Sequence, residues 1–406
     1  MAENDSELSR NIIGFVDDSV SEQIIVTTID KMGLPHSSVF RGGVMDVVDF
    51  LKKNKPPKIL IIDVSELELP VGEVAKIKEY AAPDVNFIII GGRNEVGLFR
   101  DFMDIGVIDY LVKPLSIDLV QRAIEGVDVA RRSITRKSGK LVYFANSVGG
   151  AGATTTAVNV GWLLSNRYFK RTVVIDTDFC YGSAHLLMDI RAESSYVKAL
   201  GSFDKIDDYF VDTFLKRYDQ RLFYLDGLLD LNDDDTVNAE AFGTLVSYIK
   251  EGFNYVLVDS KRQPCSANEI SMNLADIFVL MVEMSVASVQ NSVRVLQFLY
   301  SRYPTKKIIV VANRIGMSSS GALSKESFEE VIARKIDYVM PHDDRMPLAS
   351  ANIGQPLASI NCAMTSSLES IAEDILGKTD YLRIGKNLGK NTSAVLDKIK
   401  SIFKKK

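Results

Sequence analysis

The sequence predicts an α/β protein built from two doubly wound parallel-sheet domains, and three observations carry that prediction. Short apolar runs alternate with amphipathic stretches over residues 11–127, the alternation restarts on a larger scale at Lys140, and a polar, basic segment separates the two series. Strands that alternate with helices imply βαβ units and a parallel sheet. At 406 residues, with 46% hydrophobic and 25% charged side chains, the chain can bury two proper cores.

The elements follow in order. Residues 1–10, "MAENDSELSR", are polar and acidic and are expected to be disordered; they lack the basic-then-apolar order of a signal peptide. In the first domain, residues 11–127, the expected strands are "IIGFV", "KILIIDV", "NFIIIGG" and "GVIDYLV". Residues 128–139, with Arg131, Arg132, Arg136 and Lys137, read as a basic linker. The second domain, residues 140–377, has expected strands "KLVYFAN", "TVVIDTD", "YVLVDS", "DIFVLMVE" and "KIIVVANR". Residues 378–406 form a lysine-rich tail. Its end, "SAVLDKIKSIFKKK", puts Val395, Leu396, Ile399, Ile402 and Phe403 near one helical face, which suits a peripheral contact with an anionic membrane surface, a helix packed on its own domain or a solvated basic tail.

Several function classes are disfavoured. Cys180, Cys265 and Cys362 lie far apart and form no CxxC pattern, so a reducing cytosol is the expected setting. His36, His185 and His342 show no metal-ligand spacing. No uncharged apolar run approaches the roughly 18 residues of a membrane span. A net charge of −5 argues against specific nucleic-acid binding.

In open α/β sheets, function gathers beyond the carboxyl ends of the strands. In the first domain these ends carry Asp17 and Asp18, then Asp63, then Lys113 followed by Pro114. With "GVIDYLVKPL", this set resembles the flavodoxin-like receiver domain of response regulators. The resemblance implies a divalent cation on Asp17 and Asp18, a phosphoryl-accepting Asp63, and Lys113 as its partner. Gly91 and Gly92 stand where that family places a hydroxyl residue. Two readings follow, a receiver used only for docking or dimerisation and a receiver phosphorylated on Asp63.

The second domain carries "VGGAGATT" between an apolar strand and a helical stretch. Such glycines let backbone N–H groups converge on phosphate, and a helix start adds its positive end. The run resembles the deviant Walker A motif KGGxGK[ST][ST] of the ParA/MinD group of P-loop NTPases (SIMIBI class), which implies ATP and Mg2+ as ligands. Gly149, Gly150, Ala151, Gly152, Ala153, Thr154 and Thr155 fall on its nucleotide-binding positions, with Thr154 at the Mg2+ hydroxyl. Both lysines are missing, replaced by Val148 and Ala153. The same resemblance implies that Asp176 helps to hold the metal, Asp178 serves the attacking water if the enzyme is active, Asp259 ends the Walker B strand and belongs to the Mg2+ shell, and Asn313 reads the adenine edge. Lys261 and Arg262, just beyond Walker B, are candidate replacement cations, with Arg262 preferred.

A receiver-like domain joined to a ParA/MinD-like domain is the layout of the CpaE/TadZ proteins of Tad (Flp) pilus assembly. "GVIDYLVKPL", "VGGAGATTTAVNVGWLL", "VIDTDFCYGSAHLLMDI", "VDSKRQ", "VANRIG" and "MPHDDRMPLASANIGQPLA" all resemble that family. The resemblance implies a homodimeric, cytoplasmic localisation factor, at the cell pole or the cytoplasmic face of the inner membrane, with the pilus secretion ATPase and other pilus assembly proteins as partners. A catalytically active positioning or partitioning ATPase and a phosphorylatable response regulator remain as alternatives.

Overall fold

The computed structural model describes residues 12–378, apart from residues 35–36, 55, 84, 134–137, 194, 202–205, 234–236, 264, 317–322 and 361. The expectations for residues 1–10 and for the tail from residue 379 lie outside the described residues, as does His36. The chain divides into two compact units, with the second starting at Gly139.

In the first unit five strands, β1 (Ile12–Val16), β2 (Ser38–Arg41), β3 (Ile59–Asp63), β4 (Asn86–Gly91) and β5 (Asp109–Val112), pair in parallel in the order β2-β1-β3-β4-β5. This is the flavodoxin-like order, whose switch point lies between β1 and β3. Successive residues point to opposite faces, so Phe15, Leu60, Ile62, Phe87 and Ile89 enter one core. Ile12, Val16, Ile59, Ile61, Ile88 and Ile90 enter the other. Burial on both faces explains the unbroken apolar runs. The edge strand β2, "SVFR", is largely exposed, and its polar character hid it from the sequence reading.

Part of the segment expected as linker is helical. The helix Ile117–Ser133 continues six residues into the segment expected as linker. Alanine and arginine within "DVARRS" are strong helix formers, and a basic stretch is as compatible with helix as with coil.

The second unit holds eight strands: β6 (Lys140–Asn146), β7 (Thr172–Asp176), β8 (Leu215–Arg217), β9 (Leu222–Leu225), β10 (Tyr255–Asp259), β11 (Ile277–Val282), β12 (Lys307–Ile315) and β13 (Tyr338–Pro341). Their order is β13-β12-β11-β6-β10-β7-β9-β8, parallel except for β8 against β9. The five expected strands form the centre. Three short ones, β8, β9 and β13, were not foreseen. The helix Ala153–Trp162 leaves the central strand β6 and packs with seven of its ten residues buried. Gly161 permits that packing: a Cβ there would lie 3.2 Å from Leu257 Cδ1. Among the described residues no helix is long and apolar enough to cross a membrane.

Candidate functional site

The loop of residues 147–152 joins the end of β6 to the helix Ala153–Trp162, as the motif demands. Gly150 (φ +76°) and Gly152 (φ +104°) take backbone conformations that side chains disfavour. Gly152 is also crowded, because a Cβ there would come within 2.5 Å of Asn313 Nδ2. Asn313 is buried and braces the loop: its Nδ2 donates to Ala151 O (2.9 Å), and its Oδ1 accepts the Arg314 N–H (2.8 Å). The Ala153 N–H donates to Asn146 Oδ1 (2.9 Å). Ala153, at the lysine position, is fully buried.

The register pairs Asp259 with Asp176 on the adjacent strand ends. Both are 4% exposed. The Thr154 hydroxyl hydrogen-bonds to the Asp259 carboxylate, yet Asp259 Oδ1 has no partner. Burial, then the neighbouring Asp176, pushes the Asp259 carboxyl well above the ordinary range. Asp176 is pushed up to about 6, first by burial. Its oxygens accept the N–H groups of Asp178 (2.9 Å) and Ala184 (3.3 Å), so it organises the segment it begins. Asp178 is half-buried and accepts the Tyr181 N–H at 3.2 Å. Among the described residues no three His, Cys, Asp or Glu side chains gather as a metal-binding group. Mg2+ does not require one, since it commonly uses one or two carboxylates together with water and phosphate oxygens. The Thr154 hydroxyl and the unpartnered Asp259 oxygen fit that demand, and the glycine loop fits a phosphate.

Two arginines flank the loop. A Cβ at Gly149 would lie 3.8 Å from Arg262 Nη1, which places the expected substitute cation at the loop. A Cβ at Gly150 would lie 3.8 Å from Arg314 Nη2. Sequence reasoning missed Arg314, although it directly follows Asn313. Thr155 lies in the first turn of the helix, half-buried.

The acidic set of the first unit also assembles. Lys113 Nζ lies 2.7 Å from Asp18 Oδ2 and 2.5 Å from Asp63 Oδ2. The hydrogen bond from Lys113, then that from Ser21 N, holds Asp18 well below the usual carboxylate range. Asp17 is raised by burial and by Asp63. Burial alone would lower Lys113, but its bonds to Asp18 and Asp63 prevail and raise it. Asp63 is fully enclosed: Oδ1 accepts from Ser65 Oγ (2.6 Å) and Ser65 N (3.0 Å), and Oδ2 faces Lys113 and the Asp17 N–H (3.4 Å). Beside it, the space a side chain would need at Gly91 is filled by Tyr110, whose hydroxyl donates to Arg93 O (2.9 Å) and would overlap any Cβ there. Neither Ser65 nor Tyr110 was foreseen as part of the pocket.

No protein-family model matches the chain. The septum site-determining protein MinD of Synechocystis is 27% identical over 226 residues, 54% of this chain and 81% of that protein. A ParA family ATPase from Chlorobium tepidum has the same fold, with a TM-score of 0.53 at 17% identity, covering 58% of this chain and 98% of that one. MinD from Pyrococcus horikoshii, solved with Mg-ADP, gives a TM-score of 0.51 at 15% identity over 58% of this chain and 96% of that one. With its parallel-sheet α/β architecture and this likeness in sequence, the chain is a homologue of the ParA/MinD-type nucleotide-binding P-loop ATPases.

Proposed function

We propose that the protein is a dimeric, nucleotide-dependent switch that holds ATP with Mg2+ at its lysine-free loop, cleaves it slowly or not at all, and positions a pilus assembly complex. The observation that carries the nucleotide half is the Thr154–Asp259 pair with its unpartnered, buried Asp259 Oδ1. When bound, Mg2+ would neutralise phosphate charge at that oxygen pair. The loop N–H groups would orient the phosphates, and Ala153 leaves no ammonium over them. A lost charge-assisted hydrogen bond costs about 1.5–3 kcal/mol of binding. One lost transition-state donor slows chemistry roughly 10²–10³-fold, so cleavage suffers more than holding.

The pilus half is supported by the order of two units, receiver-like then ParA/MinD-like, and by the stretches that resemble CpaE/TadZ. On this reading the partners are a second copy of the chain, the pilus secretion ATPase and other assembly proteins, in the cytoplasm at the pole or the inner-membrane face. The first unit serves docking or dimerisation, because the Asp63 oxygens already hold four donors and Tyr110 occupies the place of the switch hydroxyl.

ATP binding and turnover measured on one sample test the reading. Binding without appreciable turnover supports it, and absence of binding refutes it. A working ATPase is the second reading, favoured by the half-exposed Asp178 two residues beyond Asp176. Mg2+-dependent turnover that vanishes on Asp178→Ala would select it.

A further inference from the structure

We infer that Arg314 is the cation that grips the phosphates of the bound nucleotide in place of the missing Walker A lysine. This rests on the nucleotide-binding reading above. The site itself is marked by the orphaned Asp259 Oδ1 beside Thr154, an acid with no use for its free oxygen unless a cation and its phosphate ligands arrive. A loop that carries no lysine leaves the negative charge of a polyphosphate to be met from outside the motif.

Arg314 is built to meet it. Its backbone takes φ +58°, a left-handed conformation uncommon for any residue that carries a Cβ and sustained only where surrounding contacts over-determine it. The contact that fixes it is its own N–H donated to Asn313 Oδ1, while Asn313 Nδ2 holds the loop at Ala151 O. One asparagine therefore couples the arginine to the loop. The guanidinium is stretched between two neighbours: Nη1 lies 3.6 Å from Glu283 Oε2, and Nη2 reaches the open side of Gly150. Its side chain is 46% exposed, so a ligand on the loop can reach it. Arginine presents a planar fork of donors suited to phosphate oxygens. Arg262 approaches the neighbouring Gly149 from an exposed position after β10. No hydrogen bond comparable to the one from Asn313 fixes its backbone among those described for the loop, and it is assigned a supporting part.

The test uses the full chain and a fluorescent ATP analogue with Mg2+. Arg314→Gly removes the guanidinium while suiting the left-handed backbone, so it is expected to fold with an unchanged or higher melting temperature. Binding should weaken about ten- to hundredfold, the range of one charge-assisted hydrogen bond. Arg314→Lys should restore part of the loss, adenosine affinity should be unaffected, and Arg262→Ala should lose less than Arg314→Gly. Wild-type binding matched by Arg314→Gly overturns the assignment and leaves the nucleotide reading standing, as does a larger loss in Arg262→Ala. Absence of binding by the wild type removes both.

Discussion

Replacing Gly152 by alanine probes the coupling between the phosphate loop and Asn313. The substitution has two costs. At φ +104° an L side chain is strained, and left-handed backbone costs a non-glycine residue about 1–2 kcal/mol. The new Cβ would also stand 2.5 Å from Asn313 Nδ2, so the amide must move and give up its bond to Ala151 O, at about 0.5–1.5 kcal/mol. Together the loss should be roughly 2–3 kcal/mol. Trp162 is the only tryptophan and ends the helix that the loop begins, so its fluorescence during urea unfolding reports this unit directly. In an Asn313→Ala background the steric cost disappears and only the backbone cost remains, a coupling of about 1 kcal/mol. A loss below about 1 kcal/mol for Gly152→Ala, or costs that simply add in the double variant, would refute the bracing role of Asn313.

Three further outcomes are expected. Gly91→Ala should displace the Tyr110 ring and destabilise the first unit by about 1–3 kcal/mol, as overpacking does, and a Tyr110→Ala background should relieve it; circular dichroism reads this, since Trp162 lies in the other unit. For Asp176 the folded value is raised from 3.8 to about 6, so its contribution is fully present below the unfolded value and is lost as pH rises through 6. The ligand-free second unit should therefore lose up to about 3 kcal/mol between pH 4 and pH 7 through Asp176, and Asp176→Asn should reduce that slope in pH-resolved urea unfolding, with the raised Asp259 supplying what remains. Asp259→Asn should raise ligand-free stability by about 1–3 kcal/mol by removing one of two adjacent buried acids, while melts with Mg2+ and ATP should lose their ligand-induced shift.

The central strands and the residues at their carboxyl ends were legible because strands buried on both faces write themselves as continuous apolar runs. Asp63, Lys113, the loop glycines and Asp259 follow from those runs by position alone. The edge strands did not, since "SVFR" and "LKR" carry exposed polar residues and only three or four positions. What a side chain does with its oxygens was also hidden. Asp176 looks in sequence like any acid after a strand, and only the folded chain turns it toward the N–H groups of Asp178 and Ala184. The approach of Arg314 to Gly150 depends on bringing β12 beside a loop more than a hundred and fifty positions earlier, as the Asn313 bond to Ala151 does, and no local pattern records such a meeting.

Within each unit, the place where the expected chemistry is missing is not empty. In the first, Tyr110 fills the space beside Gly91 and Ser65 closes on Asp63. In the second, Asn313 fills the space beside Gly152 and Ala153 is sealed. The two fillings differ in one respect that separates their roles. The oxygens of Asp63 are paired with donors of the chain itself. Asp259 Oδ1 is not, and a buried polar atom without a partner costs about 1–3 kcal/mol for as long as nothing binds. A site that only held the fold together would gain by losing that acid. On the proposed reading, a site that waits for a metal and its phosphates needs the acid uncommitted until they arrive, and Asp259 Oδ1 meets that need.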